Sequence, residues 1–370
     1  MITATPLAAE ELLGAARWSG LPSALAIMGT AAGSSWLAAV MSRHGRRRGL
    51  LLGYFTAATA AVFAALAVGL SSFPLLLASV FTIGAGYGAN RLSRYAAADL
   101  YQPERQARAI GWVVWAGTIG SVLGPVLLEP TQRATGALSL PAVTGPFLLT
   151  SLAMCAAGLV VFVAFPSDVR GRARHTSRAL PFTHLRLANA RVALVALVIG
   201  ELVMVLIMTM TPIHVRNEGH GLDTVGLVIA AHTSGMFALS PLSGYLSDRV
   251  GRRPMIVIAG VFLVASGLVS SSAGASQGWL ALGLFLLGWG WNLGFVSGSA
   301  LLTEAVPYDE RVRLQGFTDT VVWSSAAIAG VSSGLLLHSI GYPALCRLGA
   351  LVAIVPTALI ALGRVALRRA

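Results

Sequence analysis

"GYLSDRVGRRP", Gly244 to Pro254, sets one acid and three arginines between two long apolar runs. Displaced by 206 positions, the chain reads "AAVMSRHGRRRG", Ala38 to Gly49. The glycine and the basic tail return there, but Ser42 stands where the acid would be. The repetition continues outward. "ADLYQPERQARAIG", Ala98 to Gly111, matches "TEAVPYDERVRLQG", Thr303 to Gly316, and "GAGYG" at Gly84 matches "GWGWN" at Gly288. The offset stays between 204 and 206 through all three. Self-similarity at so long a period is the mark of two bundles built on one plan.

The segments between the charged loops are too apolar for water. Of 370 residues, 56% are hydrophobic and 11% charged, against about 25% charged in an ordinary soluble domain. That places the chain in a membrane. Apolar runs of about 20 residues are the length of a helical span. Eleven fall near 22–42, 50–70, 73–99, 108–128, 141–165, 192–214, 222–244, 255–273, 279–303, 314–338 and 343–363. Open strands would leave backbone groups unpaired in lipid, and the short alternation of a membrane barrel is absent. The expected class is all-α, with residues 1–165 as a five-span N-terminal bundle, 166–191 as a cytoplasmic linker and 192–370 as a six-span C-terminal bundle.

The net charge of +12 does not mark a nucleic-acid binder, because the arginines sit in short loops and not along one stripe. All 26 basic residues are arginine, which reads as coding bias of a GC-rich, bacterial genome. Loop arginines set the orientation. Twenty lie in one set of loops and in the C-terminal tail, from Arg43 to Arg369; Arg17, Arg133 and Arg216 lie in the opposite set. The rich side is the cytoplasm of a cytoplasmic membrane, with the C-terminus inside. Cys155 and Cys346 lie in apolar runs as small buried residues. No metal-ligand spacing, phosphate loop or hydrolase motif occurs, so neither an enzyme, an ATP-driven pump nor a cofactor is expected.

With these features in place, the chain resembles the major facilitator superfamily of secondary transporters. "GYLSDRVGRRP" looks like the family's motif A, here Gly244, Asp248, Arg249, Gly251, Arg252 and Arg253. Its degenerate copy holds Arg43, Gly45, Arg46 and Arg47. "GSVLGPVLLEP", with Gly120, Gly124 and Pro125, resembles the antiporter motif C without its trailing glycine pair. The resemblance implies twelve helices in two bundles. The first span found here matches the family's second, so residues 1–9 are too short for the first and "EELLGAARWSG" reads as an external loop. It also implies that Asp248, with Arg249 and Arg252, latches helix ends across the bundles. The first loop would be weaker or borrow Asp99.

Several polar residues fall inside the spans. Glu201 lies ten residues past Arg191, at a depth of about 15 Å, near the midplane of a ~30 Å core. A carboxyl there is either a proton carrier or a protonated group bonded between helices. Met204 and Met208 share its face, as adaptable cavity lining or as filler. Arg91, beside Asn90, is an anion site or counter-ion, or a partner of Asp99. Arg94 is close enough to the helix end to snorkel, where Asp99 and Glu304 are the end charges. Asp319 is a second titrating group or a partner for the arginines of its own half. Asn292 is a cavity donor or a packing residue, and His232 is a hydrogen-bonding residue before a proton carrier. Gly120, Gly124 and Pro125 bend or pack their helix.

The expected function is proton-coupled efflux of small amphipathic molecules by a monomer in lipid. One alternative is a proton-coupled uptake permease for a small polar or anionic metabolite. The other is a degenerate membrane protein that does not transport.

Overall fold

The computed structural model describes residues 21–166 and 181–369. The short N-terminal segment and most of the linker expectation lie outside the described residues. Thirteen helices follow: α1 Leu21–His44, α2 Arg46–Gly69, α3 Phe73–Ala98, α4 Gln106–Ala137, α5 Thr144–Ala164, α6 Ala188–Met208, α7 Thr211–Asn217, α8 Leu222–Thr233, α9 Ser240–Val250, α10 Arg252–Ser272, α11 Gln277–Glu304, α12 Tyr308–Val352 and α13 Val355–Arg369. Eight helical stretches are long and apolar enough to cross a membrane, or ten when each of two bent pairs counts as one. Gly341, at φ 76°, divides the longest of them. Divided there, the described residues offer up to eleven apolar helical stretches, which fall on the apolar runs of the sequence. Their outer faces carry Phe55, Phe63, Leu152, Val163, Val331 and Leu335 exposed, which only a lipid surround makes favourable.

Two loops of the repeat turn through the same backbone shape. Gly45 (φ 88°, ψ 159°) precedes α2, and Gly251 (φ 103°, ψ 154°) precedes α10. A side chain at these angles would clash with its own backbone. The glycine shared by the two motifs is therefore the hinge that lets one helix stop and the next begin at once.

The contacts divide the chain into two compact units. One holds the described parts of Met1–Ala96, Gly120–Arg178 and Tyr308–Ser324; the other holds those of Ala97–Ile119, Ala179–Pro307 and Ser325–Ala370. Each unit thus includes a segment from the opposite half of the sequence.

Within the first unit, α1 and α3 approach backbone to backbone. A Cβ on Gly29 would stand 2.1 Å from the carbonyl oxygen of Phe81, and one on Gly84 would stand 2.2 Å from that of Ala26. The second unit repeats this at the matched positions. A Cβ on Gly235 would lie 2.4 Å from Phe285 O, and one on Gly288 would lie 2.2 Å from His232 O. In lipid no hydrophobic force draws helices together, so close approach through small residues supplies the attraction. The glycines of "GAGYG" and "GWGWN" are repeated because the crossing is repeated. Gly288→Ala is expected to destabilise by about 1–3 kcal/mol. Exposed Gly226→Ala, with nothing within 4 Å of its Cβ, should gain about 0.5–1 kcal/mol. Thermal unfolding in detergent compares the two.

The first unit's apolar core is built on an alanine face of α2, Ala57 to Ala67, against Leu76, Val80 and Ile83 of α3 and Phe147 of α5. The second unit's core joins Val203, Leu206 and Ile207 of α6 to Leu263, Leu284, Leu287 and Leu345. Between α8 and α9 the chain makes a π turn, Ser234–Ala238, and the two flanking segments meet at 43°. Such a turn leaves backbone carbonyls without their usual partner.

Candidate functional site

Three polar clusters collect the residues singled out from sequence. The first lies at the helix ends of the second unit. Asp248, near the end of α9, accepts from the backbone N–H of Ala107 (3.1 Å, Oδ1) and of Arg108 (3.0 Å, Oδ2). These are the first free donors of α4, where the helix dipole favours an anion. Arg252 Nη1 donates to Asp248 Oδ1 at 2.7 Å, its Nε donates to Glu304 Oε1 at 2.9 Å, and its Nη2 donates to Pro103 O at 2.6 Å. Arg108 Nε stands 3.6 Å from Asp248 Oδ2. In this cage the Asp248 and Arg252 side chains are buried, while Arg108 and Glu304 reach the surface around them. Gly244 makes room for it, since a Cβ there would meet Ala107 O at 2.5 Å.

Arg249 does not join the carboxylate as the resemblance implied. It is exposed and donates to Tyr245 Oη at 2.6 Å. In the last turn of α9, one residue after Asp248, it turns to Tyr245 and away from the acid, which Arg252, four residues on from Asp248, reaches. Arg253 instead holds Asn189 Oδ1 at 2.6 Å. In the first unit, buried Arg46 takes the place of Arg252 and donates to neutral Gln315 Oε1 at 2.6 Å. Ser42 turns back to Ala39 O at 2.9 Å. Arg47 donates to Phe162 O and lies over that ring, Arg43 is exposed, and Asp99 is buried.

The second cluster lies in the first unit. Arg94 grips Asp319 with both nitrogens, Nη2 to Oδ1 at 2.6 Å and Nη1 to Oδ2 at 3.3 Å. Nη2 also donates to Tyr95 Oη at 2.9 Å. The two side chains are 4% and 2% exposed. This corrects two expectations. Arg94 does not snorkel to the helix end, and Asp319 pairs with an arginine 225 positions away, not with the loop arginines of its own half. Spacing could not have found the pair, because its members come from helices that the sequence does not connect. Arg91 is half-buried, with its guanidinium 4.2 Å from the ring of Trp323 and 5.5 Å from that of Tyr87. Its Nε is buried without a hydrogen-bond partner. Asn90 is exposed, and its carbonyl accepts from Ser93 Oγ.

The third cluster is in the second unit. Glu201, 3% exposed on α6, accepts a 2.8 Å hydrogen bond at Oε2 from Trp291 Nε1 on α11. Trp291 stacks on Phe295 at 4.6 Å and meets the edge of Phe237 at 6.4 Å. Sequence reading missed this aromatic set; the signal was Trp291 beside Asn292 in the glycine-rich run. Met204 is buried, and Met208, partly buried, packs on the apolar core of this unit. Asn292, fully buried, donates to Met236 O at 2.7 Å and to Ser240 Oγ. It satisfies the carbonyl that the π turn releases. Asn292→Leu leaves that carbonyl with only the longer 3.3 Å bond from Ser240 Oγ and is expected to cost about 1–3 kcal/mol, read as a lowered unfolding temperature. His232 Nδ1 bonds Leu284 O at 3.0 Å. Gly120 and Gly124 are exposed with open space where a Cβ would be, so neither packs against a neighbouring helix. Among the described residues no group of three or more metal-ligating side chains occurs.

A membrane-embedded helical protein with a charged cage at its helix ends and buried carboxyls within its spans belongs to the class of multi-pass transport proteins. The comparisons name the family. A model of the Major Facilitator Superfamily matches residues 1–225 and 216–369, and the chain belongs to that family. It is 33% identical over 365 residues to the uncharacterized MFS-type transporter YdeG of Bacillus subtilis (strain 168), covering 95% of this chain and 85% of the relative. It is 31% identical over 330 residues to the riboflavin transporter RfnT of Brucella anthropi, covering 87% and 80%. Among solved structures, the transporter FucP in the outward conformation superposes with a TM-score of 0.76 at 16% identity, over 97% of this chain and 95% of that one. The proton:xylose symporter XylE gives 0.79 at 14%, over 97% and 90%. The chain is thus an MFS transporter and not an enzyme.

Proposed function

We propose that the protein is a monomeric, proton-coupled secondary transporter exporting small amphipathic molecules across the cytoplasmic membrane. Residues 1–165 and 192–370 are its two bundles, and the arginine-rich loops and C-terminus lie inside. The observation that carries the reading is Glu201, a carboxyl at mid-span bonded to the indole of an aromatic cluster. A carboxyl so placed takes up and gives back one proton per cycle, and the flat rings beside it suit an apolar, planar solute. Alternating access then exposes the site to each side in turn.

Arg91 favours the second reading, uptake of an anionic or polar solute. Its guanidinium lies on Trp323 with one buried donor unused, an arrangement that receives an acceptor on a flat molecule. The relative named as a riboflavin transporter supplies one solute for the comparison.

The test uses purified protein in liposomes with an imposed proton gradient and a panel of solutes that includes riboflavin and lipophilic dyes. Export predicts accumulation in vesicles acidified inside. Uptake predicts accumulation with the opposite gradient, sensitive to Arg91→Gln. No movement of any solute would support a protein that does not transport.

A further inference from the structure

The segment Tyr308–Ser324 at the start of α12 meets α1, α2 and α3 through a series of polar and small residues. Gln315 accepts from Arg46. A Cβ on Gly316 would meet Ala38 Cβ at 2.2 Å and Ser34 O at 3.0 Å. Asp319 holds Arg94. Thr320 donates to Ala31 O at 2.8 Å and touches Ser35 Oγ at 2.7 Å. The other unit makes the equivalent joint, where Gly111 of α4 lies on Ser240 O as Gly316 lies on Ser34 O. The joints differ in chemistry. Shifted by the repeat offset, Arg94 falls on Ser299 and Asp319 on Val114. The second joint carries its charges at the helix ends, around Asp248. Among the described residues of the two joints, only the α12 joint holds a buried charge pair away from the helix ends.

We propose that the α12 joint is the proton-operated half of the cytoplasmic gate, with the Asp319 carboxylate as the proton-binding group and Arg94 as its internal counter-ion. This rests on the reading of the chain as a transporter whose arginine-rich ends face the cytoplasm. With the joint closed and Asp319 ionised, the bidentate pair offsets the loss of water around both charges. A proton added to one Asp319 oxygen forms an O–H and cancels that charge. Arg94 is then left charged in a dry joint, and breaking a buried pair on one side is strongly unfavourable to the closed form. Opening lets water reach the guanidinium, and the proton returns to water from the same oxygen. Polar contacts suit such a joint, because water replaces each hydrogen bond as it parts, whereas an interlocked apolar seam would have to be unpacked. The charged and titratable groups around Asp319 are Arg94 and Tyr95 of α3, with Arg91 of α3 on Trp323 and Arg46 of α2 on Gln315 to either side. The facing residues of α1, Ala31, Ser34, Ser35 and Ala38, carry no charge.

The test reads the gate without any solute. Ser34 is fully buried under the joint. In the full chain carrying Cys155→Ala and Cys346→Ala, Ser34→Cys is reacted in inside-out vesicles with a membrane-impermeant maleimide. Rates are divided by those of exposed His44→Cys, to remove the thiol's own pH dependence. Between about pH 8 and about pH 6, the relative rate is expected to rise about tenfold. Asp319→Asn should label at the fast rate at both pH values. The exchanged pair Arg94→Asp with Asp319→Arg should return to slow labelling. A flat wild-type profile, or Asp319→Asn labelling as slowly as the parent, overturns the proposal. If Asp319→Asn does not yield folded protein, the parent profile and the exchanged pair decide. Failure of liposome transport leaves these rates untouched, so the two readings fail separately.

Discussion

Asp248→Asn is expected to cut transport at least about tenfold, while Ser42→Ala leaves it within about twofold of the parent. The two positions are equivalent in the repeat, so the difference tests the structure and not the motif. Both oxygens of Asp248 face backbone N–H donors, those of Ala107 and Arg108, and one also receives Arg252. Asparagine presents an acceptor to one donor and its own NH2 to the other, so a donor meets a donor. The negative charge facing the α4 N-terminus and Arg252 is lost as well. Charge-assisted bonds are worth about 1.5–3 kcal/mol each, and Arg252 retains Glu304 and Pro103 O. A net loss of about 2–4 kcal/mol follows. On a two-state gate, that shifts the population by about thirtyfold or more. Ser42 gives up one local bond to Ala39 O at an exposed site, worth under about 0.5 kcal/mol. Initial rates in liposomes and unfolding temperatures measure both. Equal effects of the two substitutions would remove the latch role from Asp248.

Glu201→Gln is expected to abolish gradient-driven accumulation, by about a hundredfold, and to leave the fold intact. The side chain keeps its shape, and its amide oxygen still accepts from Trp291 Nε1. What it loses is the proton. Counterflow of labelled against unlabelled solute needs no net proton movement and should persist. That combination separates a coupling residue from a packing one, since a structural role would impair both assays together. Gradient-driven accumulation by Glu201→Gln at the parent rate would end the case for Glu201 as the carrier. If accumulation survives there but is lost in Asp319→Asn, the coupling proton belongs to the α12 joint.

Much of this was legible in the chain. The apolar runs folded as helices long enough to cross a bilayer, because a backbone in lipid has no other way to satisfy its donors and acceptors. The repeated glycines were legible too, but their reason was not. Gly84 and Gly288 look like weak helix formers until Ala26 O and His232 O stand 2.2 Å from where a Cβ would be. Depth along a helix was readable for Glu201, since each residue adds a fixed rise. Its facing partner was not, because rotation about the helix axis is set by neighbours.

The sequence by itself determined the membrane class, the repeat, the turn at Gly45 and Gly251, and the acid missing at Ser42. Each of these follows from composition, period or local backbone rules acting within a few residues. Only the tertiary structure decided which charges meet. Asp248 found a helix N-terminus 140 positions away, and Asp319 found Arg94 225 positions away. A charge in a low-dielectric interior takes whatever partner packing brings within reach. That partner depends on how whole helices cross, which no local stretch of sequence encodes.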